Sequence, residues 1–186
     1  MAKKALPSPE VLRQLLRYEP DTGKLFWLDR TPSMFEDGLQ GAQHNCSAWN
    51  GRYAGKEAMT CIKSDGYRHG ALFYSYVPAH RAIWALHSGE WPSMAVDHID
   101  GNKINNRIEN LRLADNAQNG WNRGAPKASK SGIKGVTLSQ GKWRAQLTVR
   151  GMPIYLGQFK CRTAAAYAYA VASKEHHGQF GRVSLS

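Results

Sequence analysis

Asp97, His98, Asn110 and Asn119 are the residues of this chain whose types and spacing can do chemistry. They lie in the stretch VDHIDGNKINNRIENLRLADNAQN, from Val96 to Asn119. A carboxylate, an imidazole and two amides gathered at one point can serve a hydrolytic metal centre. Magnesium takes hard oxygen ligands, binds one or two protein groups plus a substrate phosphate, and keeps several waters. Asp97 and Asn119 are the candidate oxygen ligands. A neutral imidazole nearby can take a proton from the attacking water while the metal polarises a phosphodiester, which makes His98 the candidate general base. Asn110 can hold that imidazole or its loop without altering the charge of the site. A calcium loop of the helix-loop-helix type fits poorly, because Gly101 follows Asp100 with no alternating acids ahead of it.

The elements that must position these residues are legible on either side. Asp97 and His98 end a short apolar run (Met94, Ala95, Val96), Asp100-Gly101-Asn102 is turn chemistry, and Asn110 to Ala114 is a returning strand. Asp115 caps a short helix carrying Asn119. Neighbours on a regular strand point to opposite faces, so Asp97 and His98 share a site only where the strand ends or twists. Upstream, Ser8-Pro9-Glu10 starts an amphipathic helix with Val11, Leu12, Leu15 and Leu16, reaching Tyr18. Pro20 to Gly23 is a turn, and Lys24 to Leu28 a strand. Residues 30–55 mix Gly, Ser and Asn without periodicity and are expected to be loop, with no role assigned. Ala79 to His87 is expected to be a helix stopped at Gly89, with His80 and Arg81 as hydrogen-bonding braces at its start.

Charge divides the chain. Residues 124–186 carry ten Lys and Arg against one acid, Glu175, a net +9 of the total +11. A basic C-terminal module attached to a nearly neutral one fits a polyanionic partner, with anchoring and chemistry divided between them. Residues 124–131 form a small, polar, basic linker. Beyond it Trp143, Ala145, Leu147 and Val149 alternate with Arg144, Gln146, Thr148 and Arg150, a strand with one apolar and one cationic face. Val136 to Leu138 and Ile154 to Phe159 are its expected partners, and a helix capped by Thr163 and running to about His177 covers the apolar face. Of Tyr167 and Tyr169 only one can point fully inward. Cys46, Cys61 and Cys161 are odd in number and widely spaced, which suggests a reduced intracellular setting. The start, MAKKALPSPE, has no apolar leader core, and no run of about 18 apolar residues occurs.

DHIDGNKINNRIENLR followed by Asn116 to Asn119 resembles the HNH endonuclease motif, in the variant common in phage-encoded homing nucleases that ends in Asn rather than His. GKLFWL, GYRHG, AHRAIW and GEWP are similar to the N-terminal part of such proteins. The resemblance implies His98 as general base, Asn110 as the structural middle Asn, and Asp97 with Asn119 as metal ligands in a ββα-metal finger. An Asp/Asn oxygen site favours magnesium or manganese over zinc. SGIKGV, GKWRAQL, YLGQF and TAAAYAYAVASKEHHGQFGR resemble the APETALA or ethylene-response-factor type of DNA-binding domain. That resemblance implies Lys134, Arg144, Gln146, Thr148 and Tyr155 facing DNA, with Lys142 and Arg150 near phosphates. Gln146, Thr148 and Pro153 stand where plant relatives carry an acid and two arginines, so sequence preference does not carry over.

The expectation is an α+β chain: an HNH module over residues 1–123 with its core motif in 79–123, a linker at 124–131, and a three-stranded antiparallel sheet packed on one helix over 132–186. The expected activity is magnesium- or manganese-dependent hydrolysis of double-stranded DNA by a site-preferring, nicking homing-type endonuclease. It would act as a monomer on DNA in the cytoplasm of a phage-infected bacterial host, away from membranes. A catalytically silent DNA-binding regulator is the alternative. An RNA-processing nuclease is disfavoured by the lack of an ordered run of exposed aromatics.

Overall fold

A computed structural model of the chain describes residues 6–73 and 75–182; residues 1–5, on which the expectation of no leader partly rests, lie outside them. The chain divides into two compact units, residues 1–113 and 114–186. The first opens with helix α1 (Pro9–Leu15), whose N-terminal amide at Val11 is capped by Ser8. The chain then turns extended at Leu16, earlier than apolar spacing suggested, into β1 (Leu16–Glu19), which pairs antiparallel with β2 (Lys24–Trp27). Leu16 is buried either way, so its apolarity cannot tell a helix from a strand.

Residues 30–55 correct the expectation of irregular loop, because they contain helix α2 (Gly41–Tyr53). Cys46 is its buried residue, so no apolar stripe announces it. The Cys46 thiol and the Asn50 side-chain amide both donate to Arg30 O, at 3.0 and 2.9 Å, and Trp49 meets Trp27 edge-on. Short β3 (Glu57–Ala58) joins β2 to complete the first sheet. Strands β4 (Cys61–Ile62), β5 (Arg68–Leu72) and β6 (Ser75–Pro78) form a second antiparallel sheet. Helix α3 (Ala79–Ser88) follows and ends at Gly89. Its Ala79, Ala82, Ile83 and Ala85 enter a core with Leu12, Leu15, Leu25, Leu72, Val77, Val96 and Leu111. Strands β7 (Ala95–His98) and β8 (Leu111–Ala114) pair as a two-stranded ribbon.

The second unit begins with helix α4 (Asn116–Asn122), which Asp115 caps reciprocally with Gln118. Strands β9 (Val136–Ser139), β10 (Lys142–Val149) and β11 (Met152–Phe159) form an antiparallel sheet in the order β11-β10-β9. Helix α5 (Arg162–His177) packs on it. The α+β class is therefore as expected, down to this sheet and helix. Ala145, Leu147 and Val136 meet Ala165, Ala166 and Tyr169 in a separate core, with Tyr169 inward and Tyr167 outward. The α5 cap is Cys161, whose Sγ accepts from Ala164 N, and Thr163 already lies within the helix. A thiol is a weak acceptor, so sequence rules favour the threonine. Lys134 Nζ donates to Gly120 O and Trp121 O at 2.8 Å each, and Trp121 stacks on His177 at 4.4 Å. The helix of the central motif is thus built into the C-terminal unit.

Candidate active site

The first unit gathers His98 and Asn110 around one loop, residues 99–109. His98 ends β7, is 3% exposed, and has its Nε2 2.9 Å from Asn106 Oδ1. An amide oxygen accepts only from a protonated nitrogen, so Nε2 carries the hydrogen and Nδ1 is the basic nitrogen of the neutral ring. Burial pulls the imidazole below its ordinary pKa of 6.5, against the Asn106 bond and the Asp100 and Asp97 charges. His98 is accordingly neutral at pH 7, the state a base requires.

The ring is walled by two others. His80, from the first turn of α3, meets it edge-on at 5.1 Å, and Tyr67 lies 5.7 Å away and 4.8 Å from His80. Burial, with the adjacent His98 and Arg81, pushes His80 down to about 3. Arg81 turns away to brace the chain, donating to Met94 O and Pro92 O. Lys103 Nζ lies 4.8 Å over the Tyr67 ring and donates to Asp65 O.

Asn110 serves the loop rather than the imidazole. Its Oδ1 accepts from Asp100 N, and its Nδ2 donates to Asp100 Oδ1 and Asn105 O at 3.0 and 2.8 Å. Burial pushes the Asp100 carboxyl up, but hydrogen bonds from Asn105, the Asn102 amide and Asn110 outweigh it and hold the group below the usual range.

The N-terminal hairpin grips the same loop. Tyr18 OH donates to Asn106 O and accepts from Ile108 N, and Arg107 Nε donates to Asp21 O. Gly23, at φ +69°, leaves no room for a side chain: a Cβ there would sit 2.6 Å from Arg107 N and 2.7 Å from Asn106 C. The turn formed by Pro20 to Gly23 is therefore pressed onto the backbone of the residue that orients His98.

Asp97 follows the alternation of the strand and meets a different partner. Arg112, across on β8, donates through Nε and Nη2 to Asp97 Oδ2 at 3.0 and 2.9 Å, and both side chains are largely buried. Asn119 lies half-buried on α4, in the second unit. Among the described residues no three His, Cys, Asp or Glu side chains cluster as a metal-binding group. The donor chemistry is that of one carboxylate with amides, which fits a hard cation completed by water and phosphate oxygens.

Spacing in the sequence singled out Asp97, His98, Asn110 and Asn119 as candidates, but not Asn106, Arg112, Tyr67 or Tyr18, which the structure places beside them. The doubled Asn105-Asn106 within the motif was the available signal for one of these. In the second unit Arg144 and Thr148 are exposed, Gln146 is half-buried, and the Arg144 guanidinium lies 5.3 Å over the exposed Tyr155 ring. Lys142 is the first residue of β10, on its exposed face, and Arg150 sits at the turn that follows the strand, both exposed. Lys134 departs from the expected DNA-facing set. Its ammonium is committed to the last carbonyls of α4, and burial, with Arg123 and Arg182 nearby, pulls its pKa down to about 8.

No helix among the described residues is long and apolar enough to cross a membrane. The chain is 35% identical over 113 residues to protein 3.8 of Escherichia phage T7, a match covering 59% of this chain and 93% of that protein. It is 36% identical over 104 residues to the uncharacterised HNH endonuclease L560 of Acanthamoeba polyphaga mimivirus, 54% of each. No solved structure matches. Residues 77–121, which span His80, the β7–β8 ribbon, the Asn106 loop and α4, match the HNH endonuclease family, and with the phage relative matched over nearly its whole length the chain belongs to that family.

Proposed function

We propose that the chain is a divalent-metal-dependent endonuclease that nicks double-stranded DNA at preferred sites, as a homing-type enzyme of phage kind working as a monomer inside the host cell. The observation that carries this reading is the neutral, buried His98, oriented through Nε2 by Asn106 on a loop held by Asn110, Tyr18 and the turn at Gly23. Such an imidazole takes the proton of the attacking water at Nδ1. Asn110 and Asn106 position it, and His80 and Tyr67 exclude water from its sides. By the spacing of the motif, Asp97 and Asn119 would hold the cation, magnesium or manganese. When bound, that ion supplies charge to the scissile phosphate and to the leaving oxygen. Arg112 fixes the Asp97 carboxylate before the cation arrives.

The exposed face of β10 and β11 is the proposed DNA anchor, in the manner of an APETALA-type sheet. Alternation supports it: Ala145 and Leu147 are buried, while Arg144, Thr148 and Tyr155 face outward. Arg144, Gln146, Thr148 and Tyr155 would enter the groove and Lys142 and Arg150 meet phosphates, with Lys134 left to hold α4. The net +9 of this region supplies the salt-sensitive part of affinity.

The deciding experiment incubates supercoiled plasmid with the protein and magnesium, then with EDTA, and follows nicked circles. Nicking that vanishes with EDTA and with His98→Ala supports the reading. The ion pair of Asp97 with Arg112 favours one rival, a silent DNA-binding regulator, because the carboxylate is already charge-compensated. Tight DNA binding with no nicking in magnesium or manganese would decide for that rival.

A further inference from the structure

Residues 30–55 and the end of β5 enclose an open cavity of about 890 Å³ within the first unit. Small-molecule pockets run to roughly 300–1,000 Å³. Its wall is aromatic, with Trp27, Phe35, Trp49, Tyr53 and Phe73. Trp49 contacts Trp27 at 5.6 Å and Tyr53 at 5.3 Å between centroids, so these rings brace one another. Tyr53 and Phe73 stay 36% and 48% exposed.

One cation sits among the rings. The Arg30 guanidinium lies 3.8 Å over Trp49 and 5.6 Å from the Trp27 ring. Among the described residues it joins no ion pair, and its Nε is buried without a hydrogen-bond partner. Arg30 also lines the cavity, which therefore offers ring faces together with a guanidinium that no carboxylate among the described residues pairs.

We propose that this cavity holds one unpaired nucleotide of the DNA strand, its base stacked on the exposed rings and its phosphate on Arg30. Every base has a π-face, so an aromatic wall receives it with little regard to sequence. The guanidinium fork matches phosphate oxygens. Asn45 and Glu36, which also line the cavity, offer a donor and acceptors to the edge of the base. A base within a duplex cannot reach such a wall, so the nucleotide must be flipped or already unpaired. The proposal rests on the reading that the chain acts on DNA.

The test uses the full chain in EDTA and two duplexes that differ at one position, 2-aminopurine opposite an abasic site or opposite thymine. Stacking of one base on protein aromatics gives about 5- to 150-fold in affinity. The expected result is a preference of that order for the unpaired probe, with its fluorescence quenched by the tryptophans. Arg30→Gln and Phe73→Ala should each reduce the preference to within about twofold of unity, and Phe73, half exposed, can be truncated without opening the core. Equal affinity for the two duplexes would overturn the proposal, as would a preference that survives both substitutions. So would deoxyadenosine monophosphate competing as well as the probe duplex at equal concentration, since the cavity would then read a free nucleotide. Plasmid nicking with no probe preference sinks this proposal alone, whereas failure to bind any duplex sinks the functional reading with it.

Discussion

Asn106→Ala tests the orientation of the base most directly. The substitution removes the acceptor 2.9 Å from His98 Nε2, in a place where the two side chains are 2% and 3% exposed and water does not replace it. A buried donor left unmet costs about 1–3 kcal/mol. If that bond holds the ring equally in the free enzyme and at the transition state, the loss falls on stability alone. If it selects the reactive tautomer, the loss falls on the rate, and at 1.36 kcal/mol per decade it amounts to about 5- to 150-fold. Tyr18→Phe removes a hydroxyl that holds the backbone of the same loop, two ordinary hydrogen bonds from the reacting atom, and should slow cleavage by about 2- to 10-fold. Single-turnover nicking of supercoiled plasmid at saturating enzyme separates rate from binding. Side-chain ¹⁵N shifts of His98 report which nitrogen carries the proton. A wild-type single-turnover rate in Asn106→Ala, or an unchanged tautomer beside a slowed rate, would refute the reasoning.

Further consequences follow from the same geometry. His80 is held neutral down to about pH 3 by burial, so below an unfolded-state pKa near 6.5 the unfolded chain binds the extra proton and stability is lost as pH falls towards 3, by up to about 1.4 kcal/mol per pH unit; urea midpoints of the wild type and His80→Gln should converge on acidification, and parallel curves would count against it. Arg112→Met strands the Asp97 carboxylate, at a cost of about 3–5 kcal/mol; if Asp97 binds the cation, magnesium should restore part of the lost thermal stability, and indifference to magnesium would remove Asp97 from the ligand set. Ending the chain at Arg123 removes Lys134 and His177, which hold the carbonyls and the Trp121 ring of α4, so the truncated protein should lose nicking as well as affinity, and full activity at high protein concentration would contradict this. Arg144→Ala should relax site preference, while Lys130→Ala on the linker should only weaken binding by about one phosphate contact in the salt dependence; competition between specific and scrambled duplexes at two salt concentrations distinguishes them.

What the sequence determined by itself is what local rules govern. The cap that Asp115 gives α4, the helix begun by Ser8-Pro9 and the turn at Pro20 to Gly23 depend on residues a few positions apart. The inward and outward faces of β10 follow from its strict alternation, and the motif residues from their types at their spacing. Helix α2 was hidden because its side chains carry no periodic apolar signal, and the contacts that hold it come from Trp27 and Arg30 in preceding segments. Tertiary structure alone decided who holds His98. Asn106, eight residues on, turns its oxygen to the ring because Tyr18 and Gly23, more than eighty residues earlier, fix the loop from outside. It also gave neighbours different partners: Asp97 and His98 adjoin in sequence, yet Arg112 holds the carboxylate of one and Asn106 orients the ring of the other. Long-range partners leave no trace in local pattern, because any apolar or amide side chain at the right depth satisfies the pattern and only the folded chain says which one arrives.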